Sequence, residues 1–238
     1  MGVFFHTDER MIDMKRFMTA YMLLFILALA ACGQEKDVDA DEFIKHVKEG
    51  QDAVDNYDFE FSFSLSYDDD ERDEFERTGQ VDEKDNLART LQDDEEGPID
   101  NAYFDHDIYY LLTDEWVPLG DQYDEVGHES FGYQFFTDML IDLEEQIDVV
   151  KKDGDFHFIT EADEDAFAIY EDYVPFPYDV DDRSVTIEGI LDGKDYHLID
   201  FNVSVEAELD DKVFLLQHDI HYSDLNETSV DIPDELKE

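Results

Sequence analysis

The chain has 238 residues, and its 67 Asp and Glu against 16 Lys and Arg give a formal net charge of −51. That balance excludes a nucleic-acid partner, because counterion release needs clustered cations and the only adjacent basic pairs are Lys15-Arg16 and Lys151-Lys152. Hydrophobic residues make up 42% of the chain, with 19 Phe and 13 Tyr, which is enough apolar area for a folded core and excludes a disordered polyanion.

Residues 1–13 carry Asp8, Glu9 and Asp13, the wrong charge for the start of a secretory signal. They read as an extension ahead of a true start at Met11 or Met14. Gly2 is not a myristoylation site, since His6 stands where Ser or Thr is required. Residues 14–31 have the order of a signal peptide: Lys15-Arg16, an apolar run over 17–31 broken by Thr19, then small residues. As a helix that run covers about 22 Å, short of a hydrocarbon core of about 30 Å. Leu29-Ala30-Ala31-Cys32 resembles the lipobox of bacterial lipoproteins, and the only cysteine of the chain stands where the lipobox needs one. The resemblance implies cleavage before Cys32, a diacylglycerol on its thiol, and anchoring at the extracytoplasmic face of the cell membrane. With one cysteine, no intramolecular disulfide is available. Residues 1–31 hold three acids and three bases, so a chain beginning at Cys32 keeps the whole −51.

Residues 32–38 are a polar tether, and a single domain is expected over 39–238. Asp39 or Asp41 caps a helix whose apolar residues Ala40, Phe43, Ile44, Val47 and Val54 share one side, ending near Asn56. From Tyr57 the period is two: Tyr57, Phe59, Phe61, Phe63, Leu65 and Tyr67 alternate with Asp, Glu and Ser, the clearest strand in the chain. Shorter strands follow over 75–81, 87–91, 102–104, 108–112 and 116–119, a meander whose acidic turns are solvated loops. Between 130 and 152 the period returns to 3.6, with Phe136, Met139, Leu140, Leu143, Ile147 and Val150 on one face. Lys151-Lys152 there suits a helix C-terminus, with Gly154 just beyond. A strand over 156–160, a short helix over 163–173 and strands over 185–191, 196–209 and 213–222 complete the fold. Asp192-Gly193 and Asp210-Asp211 are the turns between the last three. An extended piece over 230–232 precedes Pro233.

Chemical motifs are few. Among 67 carboxylates some pair lies at any spacing, so none singles out a general acid and base. The stretch from Asp37 begins like a calcium loop, but Glu42 replaces its glycine and Lys48 its final glutamate. His218 and His221, three apart on a strand, point to opposite faces and make no metal site. No phosphate loop, zinc-protease motif or nucleophile elbow occurs, so neither an enzyme nor a cofactor is expected.

The order of elements supports a family resemblance. A lipobox, a short tether, one amphipathic helix, a meander with Tyr109-Tyr110 ahead of Trp116, a mid-chain helix and long closing hairpins resembles the LolA-like, LppX-like lipid-carrier superfamily. The ending Ile220-His221-Tyr222-Ser223-Asp224-Leu225-Asn226-Glu227, then Val230-Asp231-Ile232-Pro233, is similar to the closing strands of uncharacterised Gram-positive members. The resemblance implies an α+β fold: a curved antiparallel half-barrel whose concave face is covered by an N-terminal helix and mid-chain helices around an apolar cavity. Phe59, Phe61, Phe63, Leu65 and Trp116 would line that cavity, with Phe136, Met139, Leu140 and Leu143 as its lid. A lipid or other apolar ligand would be held there without being transformed. The alternative is that these residues fill a solid core, and that the chain is a surface protein whose acidic face, adapted to a saline or alkaline habitat, meets a basic partner or cations.

Overall fold

The computed structural model of the chain describes residues 35–67, 71–93, 98–104, 107–112, 115–118, 132–160, 164–174, 181–209 and 212–237. Cys32, the 14–31 segment and the 1–13 extension lie outside them, as do Leu119, the turn at Asp210-Asp211 and the stretch 175–180. Residues from Asp37 onward form one compact unit.

Helix α1 spans Ala40–Gln51. Asp39 caps it, its carboxylate accepting from the Glu42 N–H at 3.4 Å, and Phe43, Ile44 and Val47 form the buried face. The helix stops short of Asn56. Gly50 lets its last turn lie against backbone, since a Cβ there would sit 1.8 Å from the Tyr196 carbonyl oxygen. Val54 is buried, but in the turn that leads into the next strand.

Among the described residues twelve strands form one sheet: β1 Lys36–Asp37, β2 Asn56–Tyr67, β3 Glu71–Asp82, β4 Leu87–Asp93, β5 Ile99–Phe104, β6 Asp107–Leu112, β7 Glu115–Pro118, β8 Ile147–Lys152, β9 Asp155–Thr160, β10 Asp181–Leu191, β11 Leu198–Leu209 and β12 Lys212–Ser223. Their spatial order is β1-β8-β9-β10-β11-β12-β2-β3-β4-β5-β6-β7, curved and unclosed, so two antiparallel meanders meet where β12 pairs with β2. Helices α2 (Tyr133–Asp142) and α3 (Glu164–Tyr173) join α1 on one face, α2 against α1 and β11, α3 against β10. The α+β class and the half-barrel-like sheet expected from the sequence are what the chain adopts.

The expected helix over 130–152 is half right. After Asp142 the chain makes a 3-10 turn at Glu144–Gln146 and becomes strand β8. Leu143, Ile147 and Val150 are spaced like a helical stripe, yet Ile147 and Val149 alternate inward and all six residues of β8 pair with β9. Asp153 and Gly154 both have positive φ, 54° and 113°, the geometry of a two-residue hairpin turn rather than a helix end. Lys151 caps no helix either, and its ammonium lies 4.4 Å from the Phe156 ring centroid. The β10–β11 link is also longer than a two-residue turn, spanning residues 192–197, with Asp192 accepting from the N–H groups of Lys194 and Asp195.

Among the described residues the C-terminal tail adds no strand beyond β12. It is fixed by side chains instead: Asn226 accepts from the Asp55 N–H at 2.8 Å and donates to the Ala53 carbonyl at 2.8 Å, and Arg89 donates to the Asp231 carbonyl at 3.1 Å. Ile232 is buried.

Candidate functional site

Antiparallel register decides which side chains share a face. Across β12, β2 and β3 the inner, helix-bearing face carries Tyr222–Phe59–Gly79, Ile220–Phe61–Arg77, His218–Phe63–Phe75 and Leu216–Leu65–Asp73 as successive rungs. Phe59 and Phe61 are buried in the core, while Phe63, Leu65 and Phe75 are half-buried and pack against it. Gly79 makes room for the Phe59 ring, which a Cβ would meet at 2.4 Å. Phe63 and Phe75 stack at 5.0 Å between centroids, so β2 and β3 present an aromatic ledge beside the core.

Helix α2 is positioned by buried tyrosines. The Tyr57 hydroxyl accepts from the Tyr133 N–H at 3.0 Å and donates to Glu83 at 3.1 Å, and the Tyr133 hydroxyl accepts from the Leu198 N–H at 2.6 Å. Burial pushes the Tyr57 and Tyr133 hydroxyls up in pKa, and pushes Glu83 up against the opposing hydrogen bond from Tyr57. Anchored this way, α2 places Phe136, Met139 and Leu140 in the core, and Leu143 follows at its C-cap, with Phe136 5.0 Å from Phe201 between ring centroids. Met139, Leu140 and Leu143 expose 0% of their surface. They belong to the buried core cluster.

Trp116 stands elsewhere. It pairs with Leu111, one position out of phase with the Tyr110–Val117 rung that continues Phe59–Gly79–Thr90–Asn101. Its side chain therefore belongs to the outer face, where Leu91 and Leu111 are 44% and 38% exposed.

His218 and His221 do lie on opposite faces. His221 is on the outer face, 2.7 Å from Asp200. His218 is buried on the inner face, its Nε2 3.2 Å from the Tyr170 hydroxyl of α3, with the Phe61 and Phe63 rings beside it. Burial lowers its pKa to about 4, so it is a neutral polar group within the aromatic ledge. Among the described residues no group of three or more His, Cys, Asp and Glu is placed to hold a metal ion.

No protein-family model matches the chain, and no curated protein is significantly similar to it. Among solved structures it is similar to LprF from Mycobacterium bovis, 10% identical at a TM-score of 0.41 over 82% of this chain and 97% of that one. It is similar to the LolA superfamily protein NE2245 from Nitrosomonas europaea, 9% identical at a TM-score of 0.32 over 84% and 97%. The ywiB protein from Bacillus subtilis is 8% identical at a TM-score of 0.21 over 72% and 96%. None of the three reaches a TM-score of 0.5.

Phe75, Arg77, Tyr170 and His218 take part in the ledge and were not among the lining residues expected from the sequence. A signal for two of them was present. In β3 the inner phase reads Phe75, Arg77, Gly79, Val81, which places a cation in the apolar phase of a strand. Tyr170 and His218 meet only because α3 packs back on the sheet, 48 residues away in sequence.

Proposed function

We propose that this chain is an envelope lipoprotein, anchored through Cys32, that holds a lipid or other apolar ligand against the inner face of β2 and β3 without transforming it. The observation that carries the reading is the ledge of Phe63, Leu65 and Phe75. These residues are continuous with the core yet half-exposed, so apolar area remains for a ligand to cover. Support for the anchor comes from the lipobox residues themselves. Among the described residues no helix is long and apolar enough to cross a membrane.

The test of the ligand is Phe63→Glu. A charge among these rings is costly, so uptake of a fluorescent fatty acid by the purified chain falls at least tenfold while the fold is retained by circular dichroism. Unchanged uptake would place the ligand elsewhere. For the anchor, Cys32→Ser transfers the protein from the membrane fraction to the soluble fraction, and a variant that still sediments with membranes overturns it.

One observation favours the interaction-protein alternative, the solid packing of α2. Three grooves of about 390, 290 and 350 Å³ lie along the outer face and are lined by acids such as Glu60, Asp200 and Asp219. A chain that takes up no apolar probe but binds a polycation at low salt would fit that alternative.

A further inference from the structure

The outer face of the sheet carries an apolar groove with an acidic rim. The three helices lie on the inner face, and across β8 to β10 on the outer face a groove of about 350 Å³ is floored by Val150, Ile159 and Ile190. Ile159 is 44% exposed, and Val150 and Ile190 are half-buried. The register puts Ile159 between Asp148 and Glu188, and Ile190 beside Asp200, so carboxylates border the apolar floor. At Asp200 and Asn202 this groove joins a second one of about 290 Å³ that crosses β11, β12, β2 and β3. From β10 to β3 each successive strand supplies one carboxylate. They are Glu188, Asp200, Asp219, Glu60 and Glu76, alternating between two neighbouring rungs. Asp200 meets His221 at 2.7 Å, and Asp219 accepts from the Ser62 hydroxyl at 3.4 Å.

Charge and shape together select the occupant. Six carboxylates and one guanidinium, that of Arg77 from the inner phase of β3, border the two grooves. A second copy of this chain, with the same net charge of −51, is repelled, and so is an anionic lipid surface. An inorganic cation has no use for the apolar floor. A basic peptide with apolar side chains at one end satisfies both parts of the groove. The five acidic strands span about 19 Å at the spacing of neighbouring strands, the reach of about six extended residues. An extended chain sends its side chains left and right in turn, as the carboxylates alternate between the two rungs. It also bends with a curved sheet, which a rigid helix would meet at one place. We propose that the outer face from β8 to β3 binds an extended basic peptide segment of a partner protein. Its apolar end lies on Val150, Ile159 and Ile190, and its Lys or Arg side chains meet the carboxylates from Glu188 to Glu76. This face is opposite the aromatic ledge, so the proposal stands or falls separately from the lipid reading.

The experiment titrates the full chain, in a non-ionic detergent at about 0.15 M NaCl, against two fluorescent octapeptides followed by anisotropy. One has two leucines followed by six lysines, and the other has serines in place of the leucines. The leucine peptide binds the wild type about tenfold more tightly, the effect of covering part of the apolar floor. Ile159→Ser, a change at an exposed strand position, brings the leucine peptide close to the serine peptide and leaves the serine peptide unchanged. Glu188→Gln with Asp219→Asn weakens both peptides about fivefold, the effect of two exposed ion pairs. Asp52→Asn with Glu145→Gln removes the same charge outside the grooves and weakens both less than twofold. An equal loss in the two double variants means that the peptides follow the net charge alone, and overturns the proposal. So does equal affinity of the two peptides for the wild type, or an Ile159→Ser variant that still prefers leucine, since the apolar floor then takes no part. Binding of neither peptide overturns it as well, and uptake of a fatty acid by the same preparation leaves the lipid reading in place.

Discussion

The two meanders of the sheet differ in what their inner faces carry. Over β8 to β12, where the helices pack, the inner residues Val149, Phe158, Val185, Ile187, Phe201, Val203 and Val205 are all buried. Over β3 to β6 the inner residues include Val81 and Ala88, which are buried, but also Phe75, Arg77, Thr90, Gln92, Asn101 and Tyr103, which are partly exposed. One half is a core completed by its own helices, and the other keeps polar groups beside apolar ones. Burial is more complete in the first half than in the second, a division that follows from where the helices cover the sheet.

Truncation breaks this comparison most directly. Phe201 sits between Phe136 and Phe158, at 5.0 Å and 6.0 Å between ring centroids. Phe201→Ala is expected to cost about 4 kcal/mol, the range for a fully buried aromatic residue. Phe75→Ala removes a half-exposed ring and costs no more than about 1.5 kcal/mol. Urea unfolding of both variants gives the two values, and similar losses would show that the meanders contribute alike.

A second measurement sharpens the boundary between the halves, where β12 meets β2. His218 faces Tyr170 of α3, Phe61 and Phe63 of β2 and Val203 of β11, none of them charged at neutral pH. Its folded pKa of about 4 lies below an unfolded value near 6.5, so the unfolded chain takes up the proton first. Its contribution is complete above about pH 6.5, is lost as pH falls toward 4, and is constant below that. The total amounts to about 3 kcal/mol. His218→Gln should remove that part of the pH dependence, measured as the difference between variant and wild type so that carboxylate titration cancels. A difference that stays flat from pH 7 to 4 means that the imidazole is open to water and the ledge is wetter than its packing implies.

The same contrast explains what could be read from the sequence. Strand β2 was legible because six apolar residues alternate with Ser, Asp and Glu, a pattern no helix can bury on one face. The 143–152 stretch was not. Leu143, Ile147 and Val150 fit a helical stripe, and pairing with β9 across Asp153-Gly154 outweighs local periodicity. Within the site, the phase of Phe59 to Leu65 followed from alternation alone. The face of Trp116 did not, because it depends on the registers of five successive pairings, and an odd step anywhere among them reverses it. Burial of Met139 and Leu140 was legible as apolar periodicity, but whether such residues line a space or fill it is set by how closely α2 approaches β11. That approach depends on the Tyr57–Tyr133 hydrogen bond, between residues 76 apart in sequence.

The smallest effect expected concerns what the two halves share. Both carry acids on their outer faces, from Asp148 and Glu188 to Glu60 and Glu76, and the chain as a whole has a net charge of −51. Near α1, the neighbouring Asp41 carboxyl raises the pKa of Glu144, a local sign of crowded negative charge. Exposed ion pairs such as Lys45–Glu49 and Lys194–Asp195 stabilise little, and 16 cations cannot pair 67 acids. Repulsion among acids therefore outweighs attraction between pairs, and screening it should raise stability. The Debye length falls from about 10 Å at 0.1 M salt to about 3 Å at 1 M, short enough for neighbouring acidic side chains to stop sensing each other. The thermal midpoint of the full chain should rise with NaCl, and it should rise by the same amount in Phe201→Ala and Phe75→Ala, since neither truncation changes charge. Sucrose at matched stabilising strength separates screening from exclusion at the surface. A midpoint that falls with NaCl would mean that the few cations, Arg89 with Asp100 at 3.0 Å among them, hold the sheet more strongly than the excess acids push it apart.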